Sequence, residues 1–143
     1  MPKHLSFLAL LLSLSGCQTG TFIKGSPAAL TDIRKAAVVV LGEPRSVSLD
    51  GREIVSKFHD RRGRMDEGLE KAKVRYYTLI SILGDRRPYN IKVEVFQEAK
   101  VDPRTYQIIG ENHELARKTA SRLEEVLNES LKSRNVIDDF RAF

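Results

Sequence analysis

Few residues in this chain are of a type and spacing that could do chemistry. It holds one cysteine, Cys17, and three histidines, His4, His59 and His113. No H-E-x-x-H zinc motif occurs, and Gly42 and Gly84 belong to no phosphate-cradling run. His59 and Asp60 are adjacent, but neighbours on a strand point to opposite sides. The most suggestive repetition is Asp-Arg-Arg, at Asp60-Arg61-Arg62 and again at Asp85-Arg86-Arg87. Arginine forks bind phosphate or carboxylate through paired hydrogen bonds. Arg61, Arg62, Arg64, Arg86 and Arg87 are therefore the candidate anion-binding residues. If the strands between them simply meander, the two loops fall at opposite ends of a sheet. No metal site and no cofactor is implied, and a hydrolase is the least supported class.

Cys17 stands in a different context. Met1-Pro2-Lys3-His4 precedes an apolar run, Leu5 to Leu14, which is closed by Ser15-Gly16-Cys17. A positive tip, a short apolar core and then small residues is the pattern of a secretory signal. The run is shorter than the about 20 apolar residues of a membrane-spanning helix. Leu14-Ser15-Gly16-Cys17 resembles the lipobox of bacterial lipoproteins. That resemblance implies cleavage between Gly16 and Cys17, with a diacylglyceryl group on the Cys17 sulfur and the lipidated cysteine as the new N-terminus. In that class an Asp after the cysteine favours inner-membrane retention. Gln18 stands there instead, so the expected location is the outer membrane, facing the periplasm. Cysteine usage agrees: a lone cysteine has no partner for an internal disulfide in an exported chain.

Removing residues 1–16 takes away one charged residue, Lys3, and lowers the net charge from +5 to +4. The remaining residues, 17–143, fit one domain with one core. The basic excess is dispersed among acids, whereas a nucleic-acid binder shows a denser stripe. No nucleic-acid partner is expected.

The elements that would position these residues follow from periodicity. Residues 17–25 form the lipidated end and a polar tether. Residues 26–133 form the folded domain. Ser26-Pro27 has the chemistry of a helix start. Leu30, Ile33, Ala37, Val40 and Leu41 then share a helical face, and Gly42 with Pro44 stops it. The β-branched run Val38-Val39-Val40 leaves a strand open as the alternative. Asp50-Gly51 predicts a tight primed turn between two short strands, with Ile54 and Phe58 on one face of the second. Residues 60–72 are charged and predict a long loop, with a helical turn at 66–71. Residues 73–83 and 89–98 predict the strongest strand pair, joined by the turn at 84–88. Tyr106 to Ile109 adds a short strand. Asn112 is positioned to cap a helix to about Ser133, with Ala116, Ala120, Leu123, Leu127 and Leu131 as its apolar stripe. The tail, 134–143, carries Phe140 and Phe143, which either dock on the domain or stand free as a handle for a partner.

The fold class expected is α+β: an N-terminal helix, an antiparallel sheet of four or five strands, and a C-terminal amphipathic helix packed on the sheet. The helix end Leu41-Gly42-Glu43-Pro44 with its following hairpin, about residues 27–59, is similar to the small accessory lipoproteins of the outer-membrane β-barrel assembly machinery (the SmpA/OmlA type). These pack helices on a three-stranded antiparallel sheet. The chain departs from them in lacking a clear second N-terminal helix and in adding the 112–133 helix. Together these features predict a membrane-anchored envelope lipoprotein, held by lipid on Cys17, that is not an enzyme and binds another envelope protein. The alternative is a binding module for a phosphorylated lipid or lipopolysaccharide through the arginine loops.

Overall fold

The computed structural model describes residues 20–140, with side chains to residue 134. Cys17 and Phe143 lie outside the described residues, as does the side chain of Phe140. In order the elements are β1 (Thr21–Ser26), α1 (Leu30–Leu41), β2 (Ser46–Val47), β3 (Glu53–Val55), a 3-10 turn (Glu67–Lys71), β4 (Val74–Leu83), β5 (Tyr89–Lys100), β6 (Tyr106–Glu111) and α2 (His113–Phe140). All strand pairs are antiparallel, in the order β1-β5-β4-β3-β2, with β6 also on β5. The class is α+β, with a C-terminal helix packed on an antiparallel sheet.

The sheet has six strands, more than the four or five expected and more than the three that the barrel-assembly resemblance implies. The extra strand is β1, which takes up most of the stretch expected as a tether. Thr21-Phe22-Ile23 are strand-favouring types, but the segment is short and is interrupted by Gly25. Pairing decides it: Ile23 sits opposite Ile91 and is buried with it. β5 is 12 residues long, and two short strands share its outer edge. β1 covers Tyr89 to Val93 and β6 covers Phe96 to Lys100.

Because β1 consumes Ser26, opposite Tyr89, that serine does not cap a helix. α1 starts later, with Ala29 as a cap that contributes no side-chain bond. Asp32 in its first turn favours the positive helix end and also pairs with Arg134 of α2 at 2.5 Å. Residues 38–41 are helical. Gly42 ends α1 at φ 72, a left-handed conformation that costs glycine little.

The core lies between the helices and one face of the sheet. Ile33, Ala37 and Leu41 of α1 and Ala120, Leu123 and Leu127 of α2 bury against Ile54, Ile80, Ile82, Ile91 and Val93. α2 starts as its cap predicts: Asn112 Oδ1 accepts from the Leu115 N–H at 3.0 Å. It runs on to Phe140 without a break at Ser133, whose hydroxyl donates to the Glu129 carbonyl of the preceding turn. Residues 134–140 are thus the end of a helix rather than a separate tail.

Two further expectations are corrected. The Gly51 N–H donates to the Ser48 carbonyl at 2.8 Å and the Ser48 N–H donates to the Glu53 carbonyl at 2.9 Å. The turn therefore centres on Leu49-Asp50, with Gly51 after it at φ 65, and is longer than a two-residue primed turn. Phe58 does not share a face with Ile54. β3 ends at Val55, and the chain re-forms only a single bridge, His59 to Tyr76. The break in alternation turns Phe58 to the opposite side, beside Tyr77.

Candidate functional site

Both helices cover the same face of the sheet. On the other face β4 and β5 present their remaining side chains in register: Arg75 opposite Glu98, Tyr77 opposite Phe96, Leu79 opposite Glu94, and Ser81 opposite Lys92. Arg75 is held by three directions of contact. Its guanidinium carbon lies 3.6 Å from the centre of the Phe58 ring and 3.4 Å from that of Tyr106. Its Nε donates to Glu98 Oε2 at 2.8 Å, and its Nη1 donates to the Glu70 carbonyl at 3.0 Å. Arg45 stacks on the other side of Phe58 at 4.1 Å and reaches Tyr77 at 5.1 Å. Tyr77 lies 5.3 Å from Phe96. The result is a stack, Tyr106–Arg75–Phe58–Arg45, running into the Tyr77–Phe96 pair. Burial, reinforced by the charge of Glu98, pushes the Tyr77 phenol above its ordinary range, so it stays a neutral donor.

Backbone geometry sets this stack. The Arg45 N–H donates to the Val55 carbonyl at 2.8 Å, which pins Arg45 beside β3. The Tyr106 hydroxyl donates to the carbonyls of Glu70 and Ala72, each at 2.9 Å. One end of the charged 60–72 loop is thereby tied to the sheet. Next to Phe58 opens a cleft of about 520 Å³, walled by Pro44, Phe58 and Met65 and rimmed by Glu43, Asp66, Glu67 and Glu70. Lys57 closes one side through an ion pair with Glu43 at 2.6 Å. This volume is that of an ordinary ligand cleft. Flat aromatic and guanidinium faces suit stacking against a partner's side chains. No nucleophile stands beside a base in it.

The arginines singled out from sequence do not form one site. Arg61, Arg62 and Arg64 follow His59, which is bridged to Tyr76 near the start of β4. Arg86 and Arg87 follow Leu83 at its end. The stretch from Tyr76 to Leu83 spans roughly 24 Å at the rise of a strand. Arg64 is spent locally: its Nε donates to Asp60 Oδ2 at 2.9 Å, and Asp60 Oδ1 accepts from the N–H groups of Arg62 and Arg64. The Arg64 N–H, ahead of its guanidinium, holds the Asp60 carboxyl below its usual range. Arg61 and Arg62 line a cleft with Asn112, Glu114 and Lys118 at the start of α2. There Glu114 pairs with Lys118 at 2.8 Å, one carboxylate against the three cations Arg61, Arg62 and Lys118.

His59 is 5% exposed and bonded at both ring nitrogens. Nδ1 lies 3.0 Å from the Asp60 carbonyl and Nε2 lies 3.0 Å from Thr78 Oγ1. A carbonyl can only accept, so Nδ1 carries the proton and Nε2 accepts from the threonine hydroxyl. Burial depresses the imidazole pKa, against the opposing pull of the Asp60 carbonyl and carboxylate. The folded state thus resists a proton that the unfolded chain takes up near pH 6.5. Stability is expected to hold above that pH and to fall as pH drops below it toward the folded value. The slope is at most about 1.4 kcal/mol per pH unit. Urea melts between pH 7.5 and 5 measure it; an unchanged slope in His59→Asn would show that this ring is not the cause.

Among the described residues no group of three or more His, Cys, Asp or Glu could hold a metal ion, and no helix is long and apolar enough to cross a membrane. No protein-family model, curated protein or solved structure matches this chain. The stacked face escaped sequence reasoning because its members come from five separate stretches. Only Tyr77 and Phe96 could have been paired beforehand, from the β4–β5 register.

Proposed function

We propose that this chain is a lipid-anchored lipoprotein of the bacterial envelope, held by Cys17 in the outer membrane and acting without catalysis as a binding module for another envelope protein. The reading of the anchor is supported by Leu14-Ser15-Gly16-Cys17 and by the absence of any other cysteine. The binding role rests on one observation: the sheet face away from the helices keeps Phe58, Tyr77, Phe96 and Tyr106 interleaved with Arg45 and Arg75, beside an open cleft. Such aromatic and arginine anchors carry most of the energy in protein interfaces.

Two experiments test the two halves. Lipid labelling in a bacterial host should give an acylated band for the natural chain and none for Cys17→Ser; equal labelling of both would remove the anchor. For the binding role, a photo-crosslinking residue in place of Phe96 should capture a specific envelope protein. The same residue in place of Val39, exposed on α1, should not. Equal capture at both positions would mean that the open face has no special part.

A further inference from the structure

A second cleft, of about 380 Å³, lies between the 60–64 turn and the start of α2. Arg61, Arg62, Asn112, Glu114, Leu115 and Lys118 wall it. Arg61 and Arg62 are the two central residues of a tight turn, closed by the Gly63 N–H donating to the Asp60 carbonyl at 3.0 Å. The Asp60 N–H also donates to the Arg64 carbonyl at 2.9 Å, and His59 before it is paired in both directions with Tyr76. The backbone under both arginines is thus fixed before any ligand arrives, which lowers the ordering cost of binding. Asp60 spends its carboxylate on this turn and on Arg64. Arg61 and Arg62 are exposed and make no ion pair among the described residues.

Three cations less one carboxylate leave a formal surplus of two positive charges at this cleft. Glu114 already reports the field there. The Lys118 ammonium bonded to it holds its carboxyl below the usual range, and the charges of Arg117 and Arg61 act in the same direction. The positive end of the 28-residue α2 adds to that field. Asn112 Oδ1 is used in capping the Leu115 N–H, which leaves the Asn112 amide nitrogen as a donor. An anion in the cleft therefore meets two guanidinium forks, an ammonium and an amide. Charge then separates the candidate anions. A phosphate monoester carries about −1.5 to −2 near neutral pH and three strong acceptor oxygens, enough to engage both forks and the ammonium together. A carboxylate or a phosphate diester carries a single charge and is satisfied by one fork.

We propose that this cleft binds a phosphate monoester, with Arg61, Arg62 and Lys118 on the phosphate oxygens and Glu114 as the carboxylate that limits its affinity. Neither the lipid anchor nor the stacked face enters into it. Such a phosphate is carried by a soluble sugar or by a lipid headgroup, and both present the same chemistry to the cleft.

Native mass spectrometry of the full chain in a neutral detergent counts bound ligands and gives affinities by titration. Glucose 1-phosphate is the soluble probe and phosphatidic acid the lipid probe. Glucuronate and phosphatidylglycerol are their singly charged counterparts. The expected result is a single adduct with a monoester, tighter than with its counterpart. Arg61→Gln with Arg62→Gln should weaken it about tenfold or more, the loss of charged hydrogen bonds. Arg86→Gln with Arg87→Gln removes the same charge from exposed positions past the other end of β4 and should leave the affinity unchanged. Glu114→Gln should tighten binding about fivefold, the worth of one like charge close by in water. Binding of glucose 1-phosphate alone upholds the site with a soluble ligand; binding of phosphatidic acid alone upholds it with a lipid headgroup. Equal losses in the two arginine pairs would show that net charge alone is read, and would overturn the site. Glucuronate bound as tightly as glucose 1-phosphate would assign the cleft to carboxylates, such as an acidic protein segment, and overturn the phosphate. The absence of both monoester adducts overturns it as well.

Discussion

Leu123→Ala is expected to lower stability by about 2–5 kcal/mol, the range for a buried leucine that leaves a cavity. Leu123 is 0% exposed and lies in the middle of the α2 stripe, in one cluster with Ile91 and Val93 of β5 and Ile33 of α1. Fraying cannot relieve the cavity, because α2 continues a full turn and more on either side. Arg122 is the matched control. It lies one residue away on the wet side and pairs with Glu125 at 2.8 Å, both side chains being about 60% exposed, 61% and 63%. Such a pair contributes little, so Arg122→Ala should stay within about 0.5 kcal/mol. Alanine is favourable in helices in both cases, which leaves burial as the difference. Urea midpoints of the two variants, in a soluble form beginning at Gln18, measure it. Coincident midpoints would mean that α2 is not docked on the sheet.

That stripe was legible in advance because α2 and β5 each carry apolar residues on one side and mainly polar ones on the other, and local spacing alone records the division. Ala116, Ala120, Leu123, Leu127 and Leu131 repeat at helical spacing, while Ile91, Val93 and Val95 alternate with Lys92, Glu94 and Phe96; the structure buries both apolar sets except Leu131, which is half-buried, and it buries Glu94 as well, which the alternation does not foresee. β1 was not legible, since its strand state is conferred by the free edge of β5 rather than by Thr21-Phe22-Ile23-Lys24-Gly25-Ser26 itself. Phe58 was misplaced for a related reason. Alternation was carried past Val55, where the Ser56 hydroxyl instead donates to the Lys57 carbonyl and accepts from the Thr78 N–H. The arginine doublets drew attention as adjacent like charges. The arginines that the structure gathers, Arg45 and Arg75, are solitary in sequence, and only the fold brings them to one aromatic ring.

Arg75→Ala is expected to cost about 2–4 kcal/mol, from loss of a largely buried ion pair and two cation–π contacts. The Arg75 and Glu98 side chains are 13% and 16% exposed and 2.8 Å apart, so removing the cation leaves a carboxylate with little water and no partner. The same change leaves the Glu70 carbonyl to Tyr106 alone and loosens the 3-10 turn beside the cleft. Two further variants divide the effect. Arg75→Lys keeps the charge but loses the planar fork that lies between Phe58 and Tyr106, and should recover about half of the stability. Arg75→Met with Glu98→Met removes both charges and should be milder than Arg75→Ala alone, because the orphaned carboxylate is the largest part of the loss. Urea melts of the three variants decide between pair and stack. If Arg75→Lys matches the natural chain, the rings contribute nothing and the arginine is held by Glu98 alone. If the double variant is as weak as Arg75→Ala, the stack, rather than the ion pair, supports the binding face.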